Sequence, residues 1–158
     1  MSDVPPFGGA PQHECDVLIV EDDVIQCEEI AWFIARAGLA VEIAHSGSSA
    51  LRTVATARPR VVLLDYNLPD TTGVELAERV RTALPDAAII IMSGRIDGLS
   101  EQTLERVGIS TFVNKPIPLG PLRQTVQRLI RSGRANDDRP RPLEDSVLAG
   151  NAIGGVRC

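Results

Sequence analysis

Five short apolar runs recur along the chain, and each is followed by a segment with helical signals. They are CDVLIV (Cys15–Val20), AVEIA (Ala40–Ala44), VVLLD (Val61–Asp65), AAIIIM (Ala87–Met92) and STFVN (Ser110–Asn114). Val61 to Leu64 is continuous rather than alternating, the mark of a strand buried on both faces. AVEIA alternates, as an edge strand does. The first helix is predicted over Val24–Ala37, with Asp23 as N-cap, Gln26 three residues on and Gly38 as the stop. The second is predicted over Ser49–Ala57. The third opens on the capping box Thr72-Gly-Val-Glu75 and ends near Leu84, ahead of Pro85. The fourth is predicted over Leu99–Val107, before Gly108. The fifth runs over Leu119–Ser132, with Leu122, Val126 and Leu129 on one face. Strand–helix alternation repeated in this way implies an α/β fold, a doubly wound parallel sheet with helices on both faces.

The chain has 158 residues, enough for one domain with short extras, and only 3% are aromatic, so the core must be aliphatic. A formal net charge of −5 excludes a basic nucleic-acid footprint. The three cysteines have no framework spacing; Cys15 and Cys27 fall in regular structure and read as buried, reduced thiols of a cytoplasmic protein. Residues 1–14 are rich in Pro and Gly and read as a flexible tail. They have neither the basic start nor the apolar stretch of a signal peptide. No apolar run approaches the roughly 20 residues a membrane span needs. Past Gly133 periodicity is lost, and residues 134–158 read as a disordered tail, leaving one domain over 15–133 in a chain that reads as complete. No GxGxxG or Walker A loop is present, so a nucleotide-binding reading has no fingerprint.

In a doubly wound sheet the site lies at the carboxyl ends of the strands. Glu21, Asp22 and Asp23 follow the first strand. Asp65 ends the third, Ser93 and Gly94 follow the fourth, and Lys115 and Pro116 follow the fifth. A carboxylate beside low-dielectric packing is disfavoured unless something compensates. Asp65 is therefore either a turn residue or one held there for chemistry. Clustered carboxylates call for a cation, and an all-oxygen donor set suits a hard divalent ion such as Mg2+. An aspartate can also attack phosphorus and become an aspartyl-phosphate, with Lys and Ser holding phosphoryl oxygens.

The set EDD, LLDYNLPDTTG, MSG and FVNKP, in that order at strand ends, resembles the receiver domain of two-component response regulators over about Asp16 to Ser132. The resemblance implies a flavodoxin-like five-stranded sheet of order 2-1-3-4-5. It implies that Asp65 is the phosphoacceptor and that Asp22, Asp65 and the Asn67 backbone carbonyl ligate Mg2+, with Glu21 acting through water. Lys115 binds phosphate and is joined to Pro116 by a typically cis peptide. Ser93 follows the phosphoryl group on activation, and Phe112 is the aromatic that turns inward with it. The implied partners are a sensor histidine kinase or histidine phosphotransfer protein and a protein target. Neither nucleic acid nor membrane is bound directly, and the face formed by the fourth helix, fifth strand and fifth helix is offered to a second copy. The chain is then a switch rather than an enzyme, apart from its own phosphotransfer and dephosphorylation, and its short tail supplies no DNA-binding output. The sequence departs from the family pattern with Glu21 for Asp, Ser93 for Thr, Gly94 for Ala, and extra prolines after Lys115.

Two other readings stand beside this one. A haloacid-dehalogenase-like phosphohydrolase also uses a strand-end Asp, but needs a general acid two residues on, where this chain has Asn67. A receiver-fold adaptor would work without phosphorylation. Among the remaining candidates, His45 reads as a loop histidine and Asp70 as a turn residue. Trp32 reads as facing outward on the first helix, with Phe33 and Ile34 inward.

Overall fold

The computed structural model of the protein describes residues 15–94 and 100–136. The readings of residues 1–14 and 137–158, and of the start of the fourth helix at Leu99, lie outside the described residues, whereas residues 134–136, read as the beginning of the tail, close the last helix. The elements are β1 (Val17–Val20), α1 (Val24–Ala35), β2 (Val41–Ala44), α2 (Gly47–Ala57), β3 (Val61–Asp65), α3 (Gly73–Ala83), β4 (Ala88–Ser93), α4 (Glu101–Val107), β5 (Thr111–Asn114) and α5 (Leu119–Asn136). The strands form one sheet of order β2-β1-β3-β4-β5, and every neighbouring pair is parallel. The flavodoxin-like architecture expected from the sequence is the one found.

Successive strand residues point to opposite faces, and the sheet therefore has two cores. Val17, Ile19, Val61, Leu63, Ile90 and Met92 face α1 and α5, where Cys27, Ile30, Ile34, Leu122, Val126 and Ile130 meet them. Leu18, Val20, Val62, Leu64, Ile89 and Ile91 face α2, α3 and α4. All residues of β1 and β3 are buried, which is why their sequences run apolar without alternation. Burial pushes the Cys15 thiol up to about 11 and Cys27 to about 12, so both are inert packing groups. On α1 Trp32 points outward, 64% exposed, and Ile34 is buried. Phe33 is half-buried beneath the Arg123 guanidinium, which stacks 4.2 Å from its ring centroid and ties α5 to α1.

Several element ends differ from the sequence reading, and capping explains them. Helix α1 stops at Ala35 because its last turn tightens: Ala37 donates to Ile34, Gly38 donates to Ala35, and Gly38 takes φ 85°. Helix α2 starts at Gly47, two residues before Ser49, because the Ser46 hydroxyl caps it by accepting from the Ser49 N–H. Ser100 caps α4 in the same way through Thr103. Helix α5 runs on to Asn136, past the predicted end at Ser132. Gly133 lies inside it, at a cost of roughly 1 kcal/mol that does not by itself end a helix. The buried stripe of α5 is Leu122, Val126 and Ile130, and Leu129 sits at its margin.

One side chain joins three element ends. The Arg81 guanidinium, on the last turn of α3, donates to five backbone carbonyls. Its Nη1 reaches Leu84 (3.4 Å), Pro85 (2.8 Å) and Ala87 (2.6 Å). Its Nε reaches Val107 (3.3 Å) and its Nη2 reaches Gly108 (2.7 Å). These carbonyls belong to the C-terminal ends of α3 and α4 and the approach to β4, groups a helix leaves without internal partners. The Arg106–Glu78 ion pair, at 2.9 Å, adds an exposed tie between α4 and α3. Val107 is the sole buried residue of α4, so the helix is held chiefly at this end. Replacing Arg81 by Met keeps the stem and removes the donors; we expect a loss of about 2–3 kcal/mol in urea unfolding. Arg81→Lys, with a point charge instead of a planar fork, should recover only a small part of it.

Candidate functional site

The sheet brings the predicted strand ends to one edge. The register pairs Val20 with Ala44 on one side and with Leu64 on the other, Asp65 with Met92, and Ser93 with Asn114. Level strand ends place Glu21, Asp22, Asp65, Ser93 and Lys115 along the same rim. Between β1 and β3 the strand order reverses, which is where a parallel sheet opens a crevice.

Asp65 and Glu21 are buried, whereas Asp22 is exposed. One carboxylate oxygen from each of Glu21, Asp22 and Asp65 lies within 4.8 Å of the other two. Lys115 enters this cluster from β5. Its Nζ lies 2.9 Å from Glu21 Oε1 and 3.3 Å from Asp65 Oδ1. Its backbone N–H donates to the Ser93 carbonyl at 2.9 Å, and the Lys115–Pro116 peptide is cis. Burial pushes the Glu21 carboxyl up to about 7; the Lys115 hydrogen bond opposes this and the neighbouring Asp65 adds to it. Burial pulls Lys115 downward, but Glu21 and Asp65 outweigh it and hold the ammonium above its ordinary range. Three carboxylates against one ammonium leave the cluster acidic. Its donors are hard oxygens converging on one spot, which fits a hard divalent cation.

The loop after Asp65 is closely fitted. Asn67 bridges to Thr72, the Leu68 N–H donates to Thr71, and the Gly73 N–H donates to the Tyr66 carbonyl at 2.6 Å. Thr72 caps α3 through the Glu75 N–H. The first residue of α3 presses on the strand end: a Cβ on Gly73 would stand 2.7 Å from the Asp65 carbonyl oxygen and 2.9 Å from Tyr66 Cα. Only glycine allows α3 to start this close to Asp65.

Two residues reach farther than their sequence context indicates. Asp70 lies in the turn, as read from the sequence, and also reaches beyond it: its carboxylate accepts from Gly47 N–H (2.8 Å) and Ser48 N–H (3.0 Å) at the start of α2. His45, in the β2–α2 connection, donates from Nδ1 to the Glu21 carbonyl at 2.9 Å. The other predicted residues fall as follows. Asp23 caps α1 by accepting from Gln26 N–H at 3.1 Å. Asn67 is exposed, with its N–H 3.4 Å from Asp65 Oδ1. Ser93 is buried at the end of β4. Phe112, half-buried on β5, packs against the core shared by α2, α3 and α4.

Residues 17–127 match the response regulator receiver domain family. The chain belongs to that family. Response regulator MprA of Mycobacterium ulcerans is 30% identical over 123 residues, which cover 77% of this chain and 53% of that protein. The receiver thus spans about half the length of the curated relatives it matches. A CheY-like receiver domain protein from Methanospirillum hungatei superposes with a TM-score of 0.74 at 22% identity, covering 78% of this chain and 98% of that one; this likeness is one of fold. The CheY-like receiver domain from Methylobacillus flagellatus is 29% identical with a TM-score of 0.65, covering 73% and 98% respectively.

The receiver's site geometry generates two predictions. Gly73→Ala forces the start of α3 away from Asp65, and we expect a destabilisation of about 1–3 kcal/mol by denaturant unfolding. The Gly47 and Ser48 N–H groups hold the Asp70 carboxyl below its ordinary range. A depressed folded value means that its contribution is complete above the unfolded value of about 3.9 and is lost as pH falls through the folded one. The stability gap between wild type and Asp70→Asn, measured by urea titration at stepped pH, should therefore be constant near neutrality and close in acid.

Proposed function

We propose that the receiver is a phosphorylation-dependent signalling switch that accepts a phosphoryl group on Asp65 from a phosphohistidine. The donor is a sensor histidine kinase or a histidine phosphotransfer protein. The observation that carries this reading is the placement of Asp65: rigid at the end of a buried strand, 3.3 Å from the Lys115 ammonium and within the oxygen cluster of Glu21 and Asp22.

In the proposed reaction an Asp65 carboxylate oxygen forms a bond to phosphorus. The P–N bond to the donor imidazole breaks, and its electron pair returns to the ring nitrogen, which takes up a proton. Lys115 exchanges its contacts with Glu21 and Asp65 for phosphoryl oxygens and offsets their charge. Asp22, Asp65 and the Asn67 carbonyl are the groups that would hold Mg2+, with Glu21 acting through water. When bound, the ion supplies charge neutralisation for the transferring group. Ser93, one residue past the Met92 that pairs with Asp65, turns toward the new phosphoryl oxygens, and Phe112 follows it inward. The face built from α4, β5 and α5 then presents a changed surface to a protein target or a second copy of the chain. The protein acts in the cytoplasm through such contacts and turns over no substrate beyond its own phosphoryl group. Among the described residues no helix is long and apolar enough to cross a membrane. Asn67 supplies no general acid two residues after Asp65, which counts against a dehalogenase-like hydrolase.

Intact-protein mass spectrometry after incubation with acetyl phosphate and Mg2+ tests this. The native chain should gain one phosphoryl group, chelator should abolish the gain, and Asp65→Ala should show none. Release of inorganic phosphate without a stable adduct would favour hydrolysis. Neither gain nor release would leave the phosphorylation-independent adaptor.

A further inference from the structure

The Glu21–Asp22 segment carries two of the three clustered carboxylates, and most of it is anchored independently. The Glu21 N–H donates to the Ala44 carbonyl at 3.0 Å, continuing the β1–β2 ladder one step past both strands. The Glu21 carboxylate is held by Lys115 through Oε1 and by the Asp23 N–H through Oε2 at 3.2 Å. Asp23 is fixed as the N-cap of α1. What these contacts leave free is the plane of the peptide between Glu21 and Asp22.

His45 acts on that plane. A carbonyl oxygen can only accept, so the ring nitrogen 2.9 Å from the Glu21 carbonyl, Nδ1, carries the hydrogen. In a parallel ladder the next donor to that carbonyl would be a backbone N–H of β2, but the chain has already turned into α2, with Ser46 as its N-cap. The imidazole supplies the rung instead. A peptide unit is planar, so fixing its carbonyl also fixes the direction in which the Asp22 backbone starts. Asp22 itself is exposed, so its carboxylate is placed chiefly by the backbone that carries it.

The β2–α2 connection does not need His45 to hold its own shape. Ser46 caps α2, and Asp70 accepts from Gly47 and Ser48. The ring contact is therefore directed at the acidic edge and is not merely part of the loop's framework.

We propose that His45 is a positioning residue for the cation site: its Nδ1–H orients the Glu21–Asp22 peptide so that the Asp22 carboxylate stays beside Glu21 and Asp65. This rests on the reading of that acidic edge as a Mg2+ site. Asn offers an N–H at the same distance from the backbone as Nδ1 of His, so His45→Asn keeps the rung and His45→Ala removes it.

The test is calorimetric titration of Mg2+ into the full chain as wild type, His45→Ala and His45→Asn, with thermal unfolding of each. His45→Ala should weaken Mg2+ binding about tenfold, the scale on which groups orienting metal ligands act. His45→Asn should restore most of that loss. Phosphorylation by acetyl phosphate should return to near the wild-type level in His45→Ala at saturating Mg2+. Wild-type affinity in His45→Ala overturns the proposal, even if its unfolding temperature falls, because the ring is then only structural. Equal weakening in both variants also overturns it, because the N–H is then not what matters. Absence of Mg2+ binding by the wild-type chain overturns the cation-site reading itself, and the inference with it.

Discussion

Lys115 lies between Glu21 and Asp65, and the working edge of the sheet depends on that contact. Burial and the neighbouring Asp65 both push the Glu21 carboxyl toward its neutral form. The ammonium, arriving from just past the end of β5, keeps the pair compatible. Such an arrangement is a weak source of stability, because desolvation consumes much of the attraction. Its value lies elsewhere. Burial raises the Glu21 carboxyl while the Lys115 hydrogen bond opposes that rise, and the two carboxylates in turn hold the ammonium above its ordinary range, so each group's charge depends on the others.

Rigidity comes from the layers behind that edge. Strands β1 and β3 carry no exposed residue, and their side chains alternate into two separate aliphatic cores, each closed by helices. Asp65 is thus the last residue of a strand that cannot shift without disturbing both. The loop beyond it is pinned in two directions: Gly73 brings α3 against the strand end, and Asp70 fastens the loop to α2. An aromatic-poor chain suits this design, since branched aliphatic side chains fill the shallow spaces between a twisted sheet and its helices.

The architecture and the acidic edge were legible in the sequence for a simple reason: both follow from local pattern. Unbroken apolar runs mark strands buried on two faces, and alternation with helices makes the sheet parallel. A parallel sheet then gathers whatever follows each strand, which brings Glu21, Asp22, Asp65, Ser93 and Lys115 together. The roles that local pattern does not show are those that act across the fold. Asp70 reads as a turn former because aspartate is common in turns, and its further partners are more than twenty positions away. His45 looked like an ordinary loop histidine because nothing near it in sequence indicates Glu21 as its acceptor. Arg81 carries no local signal, since an arginine on a helix is usually solvated, and its carbonyl partners come from three different segments. Helix ends slipped where a serine cap or an accommodated glycine outweighed the visible pattern, as at Ser46 and Gly133.

The Arg81 fork has a mechanical consequence. Helix α4 is short, buries only Val107, and is fastened at its C-terminal end to α3 and to the approach of β4. A rod fixed at its C-terminal end would swing most readily about that point. Seven residues make an arm of roughly 10 Å, so a tilt of about 10° carries the far tip by ~2 Å while the pivot stays in place. The guanidinium is the pin of that joint. A tilt of that size would move the far end of α4 while leaving the guanidinium's contacts with Val107 and Gly108 at the pivot.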